Sequence, residues 1–560
     1  MELLEESGFC PSTGIYYSKW DSPQLPLSPS LSLPSFLLSH SHPRTLLKPA
    51  FVHAKSGKAV TYGETRVLVG AIGAALRARG VGKGDVVLLV APNSLSFPLL
   101  VLGIMSSGAV FSTANPMNTR PEIKTQVEDS KPVLILTTQE LKPKMEGLLP
   151  TPLLLVQDFL DHVLRTVPGP SSSTPTPKPT PTPTPVSQSD TAALMYSSGT
   201  TGKSKAVVCT HRSLIAMSCL LKHVWSSHEG GGGGGGGCLD EVYLCVVPLF
   251  HMFGLSVFVC GAMAAASTVV ILGKYSAEAT LAAVEEYGVT RLPAVPPMVM
   301  QMVRAAKDAT AKQYDLSSLR EVVCSGAPLA KEYMERFSKF YSQITLSQCY
   351  GLTETNGPIT LCDGIEGRFH VSIGRLIPSL EAKIVDICTR KSLPPRKCGE
   401  LLVRGPPVMQ GYFKNREATC LAIDEEGWLH TGDLCFIDSL GLVYVVDRIK
   451  ELIKYKAYQV APAELEEILC SHSDIVDAAV IPCRDEEAGE IPMACVVTSK
   501  GSNLQEEDII KFVAEKVAPY KKIRKVVMVD SIPRSPSGKI LRRHLRASAA
   551  HPRLEISPRL

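Results

Sequence analysis

Short apolar runs alternate along this chain with stretches whose apolar positions recur every three or four residues. Asp85 to Val90 predicts a strand, Ser96 to Gly108 a helix and Val133 to Leu136 a second strand, and similar alternation continues through residues 240–345. That order predicts an α/β fold with mainly parallel sheets flanked by helices. From about residue 380 the strands shorten and are punctuated by Gly and Pro turns. Beyond Asp447 the pattern predicts a helix over Ala463 to Ser471, a strand over Asp477 to Pro482 and a helix over Glu506 to Lys516, a small α+β unit. A boundary near Asp447 to Glu451 divides the chain into a large domain, 1–447, a C-terminal domain, 448–546, and a tail, 547–560.

One uncharged stretch, Leu255 to Leu272, is long enough to cross a bilayer. Its small, polar centre and β-branched end predict instead a buried helix running into a buried strand. Two low-complexity segments, a Pro/Thr/Ser stretch at 168–186 and eight consecutive glycines at 230–237, read as surface insertions.

Between them lies the densest chemistry of the chain. The apolar run Ala192 to Met195 predicts a buried strand, and it opens directly into Tyr196-Ser197-Ser198-Gly199-Thr200-Thr201-Gly202-Lys203-Ser204-Lys205. Glycines at a strand end admit a ligand close to the backbone, while the hydroxyls and lysines suit phosphate oxygens. The loop is not a Walker A motif, because Ser197 occupies the place of its first glycine. Taken alone, its composition equally describes a linker.

Composition narrows the classes. The 560 residues are 45% hydrophobic and 20% charged, which describes a globular protein with large cores, and a net charge of +4 gives no basic footprint for nucleic acid. The 16 cysteines show neither a Cys-x-x-Cys pair nor Cys/His spacing for zinc, and predict buried thiols in a reducing compartment. The N-terminus lacks the pattern of a secretory signal. The final Pro558-Arg559-Leu560 is similar to the Ser-Lys-Leu address read by the peroxisomal import receptor, which predicts a peroxisomal location, with the cytoplasm as alternative.

Six further segments accompany the loop, in order: Pro248 to Gly254 (PLFHMFG), Ser325 to Leu329 (SGAPL), Tyr350 to Glu354 (YGLTE), Trp428 to Asp433 (WLHTGD), Asp447 to Lys456 (DRIKELIKYK) and Pro533 to Lys539 (PRSPSGK). Together with the loop they resemble the acyl-adenylate-forming enzymes, and specifically the plant 4-coumarate-CoA ligase-like acyl-CoA synthetases. The likeness spans nearly the whole chain outside the two insertions and the tail.

The resemblance implies a large domain that includes a distorted β-barrel subdomain, a mobile C-terminal domain, and a monomer. It implies ATP, Mg2+ and coenzyme A as cofactors. A carboxylate and ATP would give an acyl-adenylate and pyrophosphate, and the coenzyme A thiol would then displace AMP. Two anions meet in the first step, so positive charge must be aimed at the α-phosphate. Lys539 matches the lysine that supplies it. Ser197, Ser198, Gly199, Thr200, Thr201, Gly202 and Lys203 match the phosphate clamp. Asp433 and Arg448 match the ribose contacts, and Tyr350 matches an adenine-stacking ring faced by Gly326, Ala327 and Pro328, with Gln348 and Gly351 beside it. Glu354 matches a magnesium-linked carboxylate and Thr353 an α-phosphate contact. Lys450 falls at the hinge, and Lys454 and Gln459 match remaining first-step contacts. Lys456 and Ala457 match the coenzyme A segment, where glycine is commoner than Ala457. His251 matches the histidine that closes the acyl pocket, although a lone histidine in an apolar run is more often a packed core residue.

The acyl pocket is expected to involve Met252, Phe253, Ser256, Val257 and Cys349. In hydroxycinnamate ligases the position of Phe253 is a tyrosine able to pair with a phenol, and Phe253 removes that partner. An apolar fatty, jasmonate-precursor-like or cinnamate-type acid is therefore expected, with 4-coumarate as alternative. Two other classes stay open: an adenylating enzyme with another acceptor, and a non-catalytic protein on the same fold. The second would be expected to have lost Lys539, Asp433 or Glu354, and all three are present.

Overall fold

The computed structural model describes residues 6–148, 151–167, 185–197, 204–227, 241–307, 313–362, 371–455, 458–485, 488–535 and 538–549. Ser198 to Lys203, Lys456, Ala457, the glycine run, most of the Pro/Thr-rich segment and the terminal tripeptide lie outside them, as does the side chain of Gln459.

Two sheets carry the parallel architecture. The first runs Lys205–Thr210, Thr191–Ser197, Val110–Thr113, Val86–Val90, Leu134–Thr137, Leu153–Leu155, parallel except for the pair at the Lys205 edge. The second runs Thr345–Gln348, Glu321–Cys324, Arg291–Ala294, Val242–Cys245, Thr268–Ile271, Pro49–His53, Ala59–Thr61, antiparallel only at its last pair. Strands buried on both faces read as unbroken apolar runs, and Val86–Val90 is buried at every position. The helix Ser96–Ser106 is buried nearly all round, so its apolar face is not a stripe.

The uncharged stretch forms a buried helix and strand. Leu255–Gly261 is wound as a π-helix, Ala262–Ala264 continues it, and Thr268–Ile271 is the strand. At Gly261 a Cβ would stand 2.6 Å from the Trp225 ring, so glycine there lets this helix pack against His211–Ser227. No helix among the described residues is long and apolar enough to cross a membrane.

A third, three-stranded antiparallel sheet, Tyr350–Leu352, Gly357–Leu361 and Arg375–Leu376, follows the second. The region of short strands forms a six-stranded antiparallel sheet that runs from Phe9–Cys10 and Ile15–Tyr17 through Glu381–Val385, Gly399–Arg404 and Leu429–Ile437 to Val443–Arg448. The next strand, Ile453–Tyr455, already belongs to a fifth sheet with Tyr458–Val460, Gly489–Thr498, Ile475–Asp485 and Lys525–Met528. That sheet buries both faces, one against the helices Pro462–Cys470 and Glu506–Ala514 and the other around Ile481, Met493 and Leu545. The described cysteines are free thiols.

Candidate active site

The C-terminal ends of the parallel strands and the two antiparallel edges converge on one cleft. The strand Thr191–Ser197 delivers the phosphate-type loop, and Ser204 Oγ donates to the Ser197 carbonyl at 2.9 Å, drawing the loop's two ends together. Ser197 Oγ is itself buried with no hydrogen-bond partner among the described residues, an unmet polar group of the kind that a ligand oxygen satisfies.

Glu354 sits in the turn Thr353–Thr355, directly after the Tyr350 strand. The Tyr412 hydroxyl donates to its Oε1 at 2.9 Å, and Lys205 Nζ lies 4.9 Å from the centre of the Tyr412 ring. Sequence reasoning missed Tyr412. It lies in a connection after Arg404, and only its backbone bridge to Val207 brings it beside the phosphate-type loop.

Asp433 and Arg448 face each other across the antiparallel pair Leu429–Ile437 and Val443–Arg448. Arg448 Nε stands 3.3 Å from Asp433 Oδ1, while the Tyr350 hydroxyl donates to Oδ2. With Asp433 only 2% exposed, burial raises its carboxyl pKa, opposed by Arg448, the Tyr350 hydroxyl and Lys539. Gln348 is engaged with backbone instead, accepting from Leu329 N at 3.1 Å and donating to Val371 O at 3.2 Å. It thereby pins the Gly326 to Pro328 connection, and Ser325 Oγ adds a bond to Cys349 O at 2.8 Å.

Lys539 reaches this cleft from the C-terminal unit. Ser535 N donates to Lys539 O and Gly538 N to Ser535 O, each at 2.8 Å, closing a turn in which Gly538 adopts φ +81°. A Cβ on Gly538 would stand 3.0 Å from Pro297 Cδ, so the turn lies directly on the helix Pro296–Lys307. Burial, then Arg448, lowers the Lys539 pKa to about 8, against the pull of Asp433, Glu354 and Glu451. His251 caps the next helix through Nδ1, which accepts from Phe253 N at 3.2 Å and so leaves the ring proton on Nε2. Burial, then Lys539, lowers its pKa to about 4, and the ring is neutral at physiological pH.

Lys539, Asp433, Arg448, Tyr350, Glu354 and His251 are therefore brought together. Lys450 is not buried with them; desolvation and nearby Lys205 hold it below the ordinary lysine range. Lys454 is exposed, its backbone paired with Gln459 and its N–H donated to Glu490, and its side chain joins none of the contacts above.

Next to His251, Phe253 borders a narrow, mostly apolar cavity of ≈ 30 Å³. Of the residues expected at the acyl pocket, Phe253, Val257 and Cys349 are among those lining this cavity. Met252 and Ser256 do not. Met252 packs into the main core, and Ser256, within the π-wound turn beside the lining residue Val257, is fully buried with its hydroxyl 3.3 Å from Phe253 O. The other end of the cavity carries Arg291, Glu321 and Ser347, which no local sequence pattern singled out.

Residues 39–413 match the AMP-binding enzyme family and residues 464–539 its C-terminal domain. The chain is 45% identical to peroxisomal OPC-8:0-CoA ligase 1 of Arabidopsis thaliana, covering 96% of this chain and 97% of the relative. It is 44% identical to 4-coumarate–CoA ligase-like 2 of the same plant, covering 96% and 94%. The chain belongs to the AMP-binding enzyme family. Its fold matches that of o-succinylbenzoate coenzyme A synthetase from Bacillus subtilis, solved with ATP and magnesium, at a TM-score of 0.75, 25% identity, and coverage of 91% of this chain and 99% of that one.

As an AMP-binding enzyme of the 4-coumarate-CoA ligase-like group, the protein is an AMP-forming acid–thiol ligase whose cofactors are ATP, Mg2+ and coenzyme A. The cleft fits the nucleotide, with an unmet buried hydroxyl at Ser197, a buried carboxylate at Asp433 and a cation at Lys539. Among the described residues no cluster of three or more His, Cys, Asp or Glu side chains could hold a metal by itself. Mg2+ keeps its waters and binds through one or two carboxylates plus substrate phosphates, and Glu354 is a carboxylate placed beside the phosphate-type loop by its bond from Tyr412.

Proposed function

We propose that the protein joins a carboxylic acid with a largely apolar chain to coenzyme A through an acyl-AMP intermediate. The observation that carries this reading is the placement of Lys539 against Asp433, Arg448, Glu354 and His251 beside an apolar cavity. A carboxylate oxygen of the acid attacks the α-phosphorus of ATP and the bond to pyrophosphate breaks. The coenzyme A thiolate then forms a bond to the acyl carbon, and AMP leaves.

In the first step Lys539 is proposed to neutralise charge shared by the carboxylate and α-phosphate. Asp433 accepts from the ribose hydroxyls while Arg448 holds its orientation, and Tyr350 and Gly326 to Pro328 enclose the adenine. The 198–203 loop and Thr353 hold phosphates. Mg2+ bound at Glu354 would supply charge neutralisation at the phosphates. Neutral His251 borders the acid's entry. The fifth sheet, with its separate core, is proposed to turn as a unit about Lys450 so that Lys456 and Ala457 replace Lys539 at the cleft for the second step.

The acid is proposed to be of fatty, jasmonate-precursor-like or cinnamate type. Phe253 offers no hydroxyl to a phenol, and the relative named for OPC-8:0 supports this reading. Pyrophosphate release measured over a panel of such acids should exceed that with 4-coumarate, and turnover of 4-coumarate well above every other acid would reverse the assignment.

A peroxisomal location, reached through a receptor that reads Pro558-Arg559-Leu560, and a monomeric state complete the proposal. The relative's name supports the location. A fluorescent protein fused ahead of the chain should give punctate signal that becomes diffuse when the last three residues are removed, and diffuse signal from the full chain would reject it.

A further inference from the structure

The Glu354 carboxylate is held by one of its oxygens. Oε1 accepts from the Tyr412 hydroxyl at 2.9 Å, and among the described residues no other hydrogen bond or ion pair reaches the group, so Oε2 keeps its lone pairs for a ligand. The ring of the same tyrosine carries a second charged neighbour, Lys205, whose Nζ stands 4.9 Å from the ring centre and makes no ion pair among the described residues. The tyrosine's own backbone is fixed from three directions. Val208 N donates to Gly411 O at 2.9 Å and Phe413 N to Ala206 O at 2.8 Å, which lays the 410–413 connection along the strand Lys205–Thr210. Tyr412 N donates to Thr419 Oγ1 at 2.9 Å, in the helix Arg416–Ala422, and Met409 N donates to Glu354 O at 2.8 Å. One side chain thus joins the strand that leaves the phosphate-type loop to the turn that carries Glu354.

Packing alone does not call for the hydroxyl. A phenylalanine would fill nearly the same volume and offer Lys205 the same ring face, so what the oxygen adds is its bond to Glu354. That bond has two effects on a carboxylate that is to take a cation. It removes rotamer freedom which a free glutamate would lose on binding. It also does so with a neutral donor, so the carboxylate keeps its whole charge, whereas a lysine ion-paired to it would compete with the cation. Lys205 is the lysine at hand, and the aromatic face gives its ammonium another partner.

Resting on the ligase reading above, we infer that Tyr412 is a positioning residue for the metal-bound nucleotide: its hydroxyl orients the Glu354 carboxylate for Mg2+, and its ring engages Lys205 so that the ammonium does not take the cation's place. Groups that hydrogen-bond a ligating carboxylate from behind set its aim, and losing one typically costs about tenfold to a hundredfold in metal affinity.

The test is equilibrium binding of ATP to the full chain, followed by titration calorimetry in EDTA and over a series of free Mg2+ concentrations, for the parent, Tyr412→Phe and Tyr412→Leu. In Tyr412→Phe the free Mg2+ that gives half of the metal-dependent gain in ATP affinity should rise by about tenfold to a hundredfold, while affinity in EDTA stays that of the parent. Tyr412→Leu, which also releases Lys205, should shift it further. Half-saturating Mg2+ in ATP–pyrophosphate exchange should rise in parallel, with KM for the acid unchanged. The same Mg2+ dependence in Tyr412→Phe as in the parent would overturn the inference. So would an equal loss of ATP affinity with and without Mg2+, or a Tyr412→Phe chain that does not fold, since either would make the hydroxyl a support of the fold. Because binding needs no acid, the Mg2+ shift is read even if no acid releases pyrophosphate, a result that would reject the ligase reading and leave Tyr412 to be judged by calorimetry.

Discussion

Lys539→Ala lowers the rate of acyl-adenylate formation by at least about 10²-fold, the effect of removing one preorganised group from a charge-stabilising site. Thioester formation from preformed acyl-adenylate stays within a few-fold of the parent, since only the first step needs a cation between two anions. ATP–pyrophosphate exchange and single-turnover thioester formation separate the two. The parent's pH profile carries a second signature. Burial and Arg448 favour the neutral amine, so Lys539 loses its proton near about 8 in the free enzyme. The charged form is the active one, and kcat/KM for exchange therefore falls as pH rises through that value. Bound nucleotide adds negative charge, raises the pKa and moves the corresponding limb of kcat to higher pH. Lys539→Arg, permanently charged, should lack the limb. His251, near about 4, contributes no transition around neutrality. Unchanged exchange in Lys539→Ala would reject the assignment.

Asp433→Asn raises KM for ATP by about tenfold or more, the loss expected when a hydrogen bond to a charged group becomes a neutral one, with smaller change in KM for the acid. The amide keeps an acceptor for the Tyr350 hydroxyl but removes the counter-charge from Arg448. Asp433→Ala goes further and leaves both partners unmet. Breaking a fully buried pair costs about 3–5 kcal/mol, and the smaller part of that range is expected because Arg448 remains 27% exposed. A lowered urea midpoint with an unchanged slope registers that loss, and the Asn variant should show little of it. If Asp433→Asn bound ATP as the parent does, Asp433 would be a seam ion pair and not a nucleotide contact.

The parallel α/β architecture was legible because its strands are unbroken apolar runs and its helices carry helical periodicity; most boundaries fall within a few residues of those read from the pattern. The cleft was legible wherever its residues lie in contiguous segments, as with Tyr350 to Glu354 and Trp428 to Asp433. What escaped reading depends on distant pairing. Tyr412 meets Glu354 only through its bridge to Val207, and Arg291 meets Glu321 only because their strands run side by side in register. Arg291 is also locally misleading, since it opens the otherwise apolar strand Arg291–Ala294 and resembles a solvated strand end. Ser256 lies off the cavity lining for a complementary reason. Nothing in an apolar sequence tells a π-wound turn from an α-helical one, so the face each residue presents could not be assigned.

That π-wound turn makes residue count a determinant of pocket shape. An α-helix advances about 100° per residue, so losing or gaining a single residue within Leu255–Gly261 would re-phase the wall that Phe253 and Val257 form, while Gly261 stays anchored under Trp225. Two chains with identical lining side chains could then enclose differently shaped cavities. Acid preference among such enzymes can diverge through a one-codon insertion or deletion that a comparison confined to lining residues would not register.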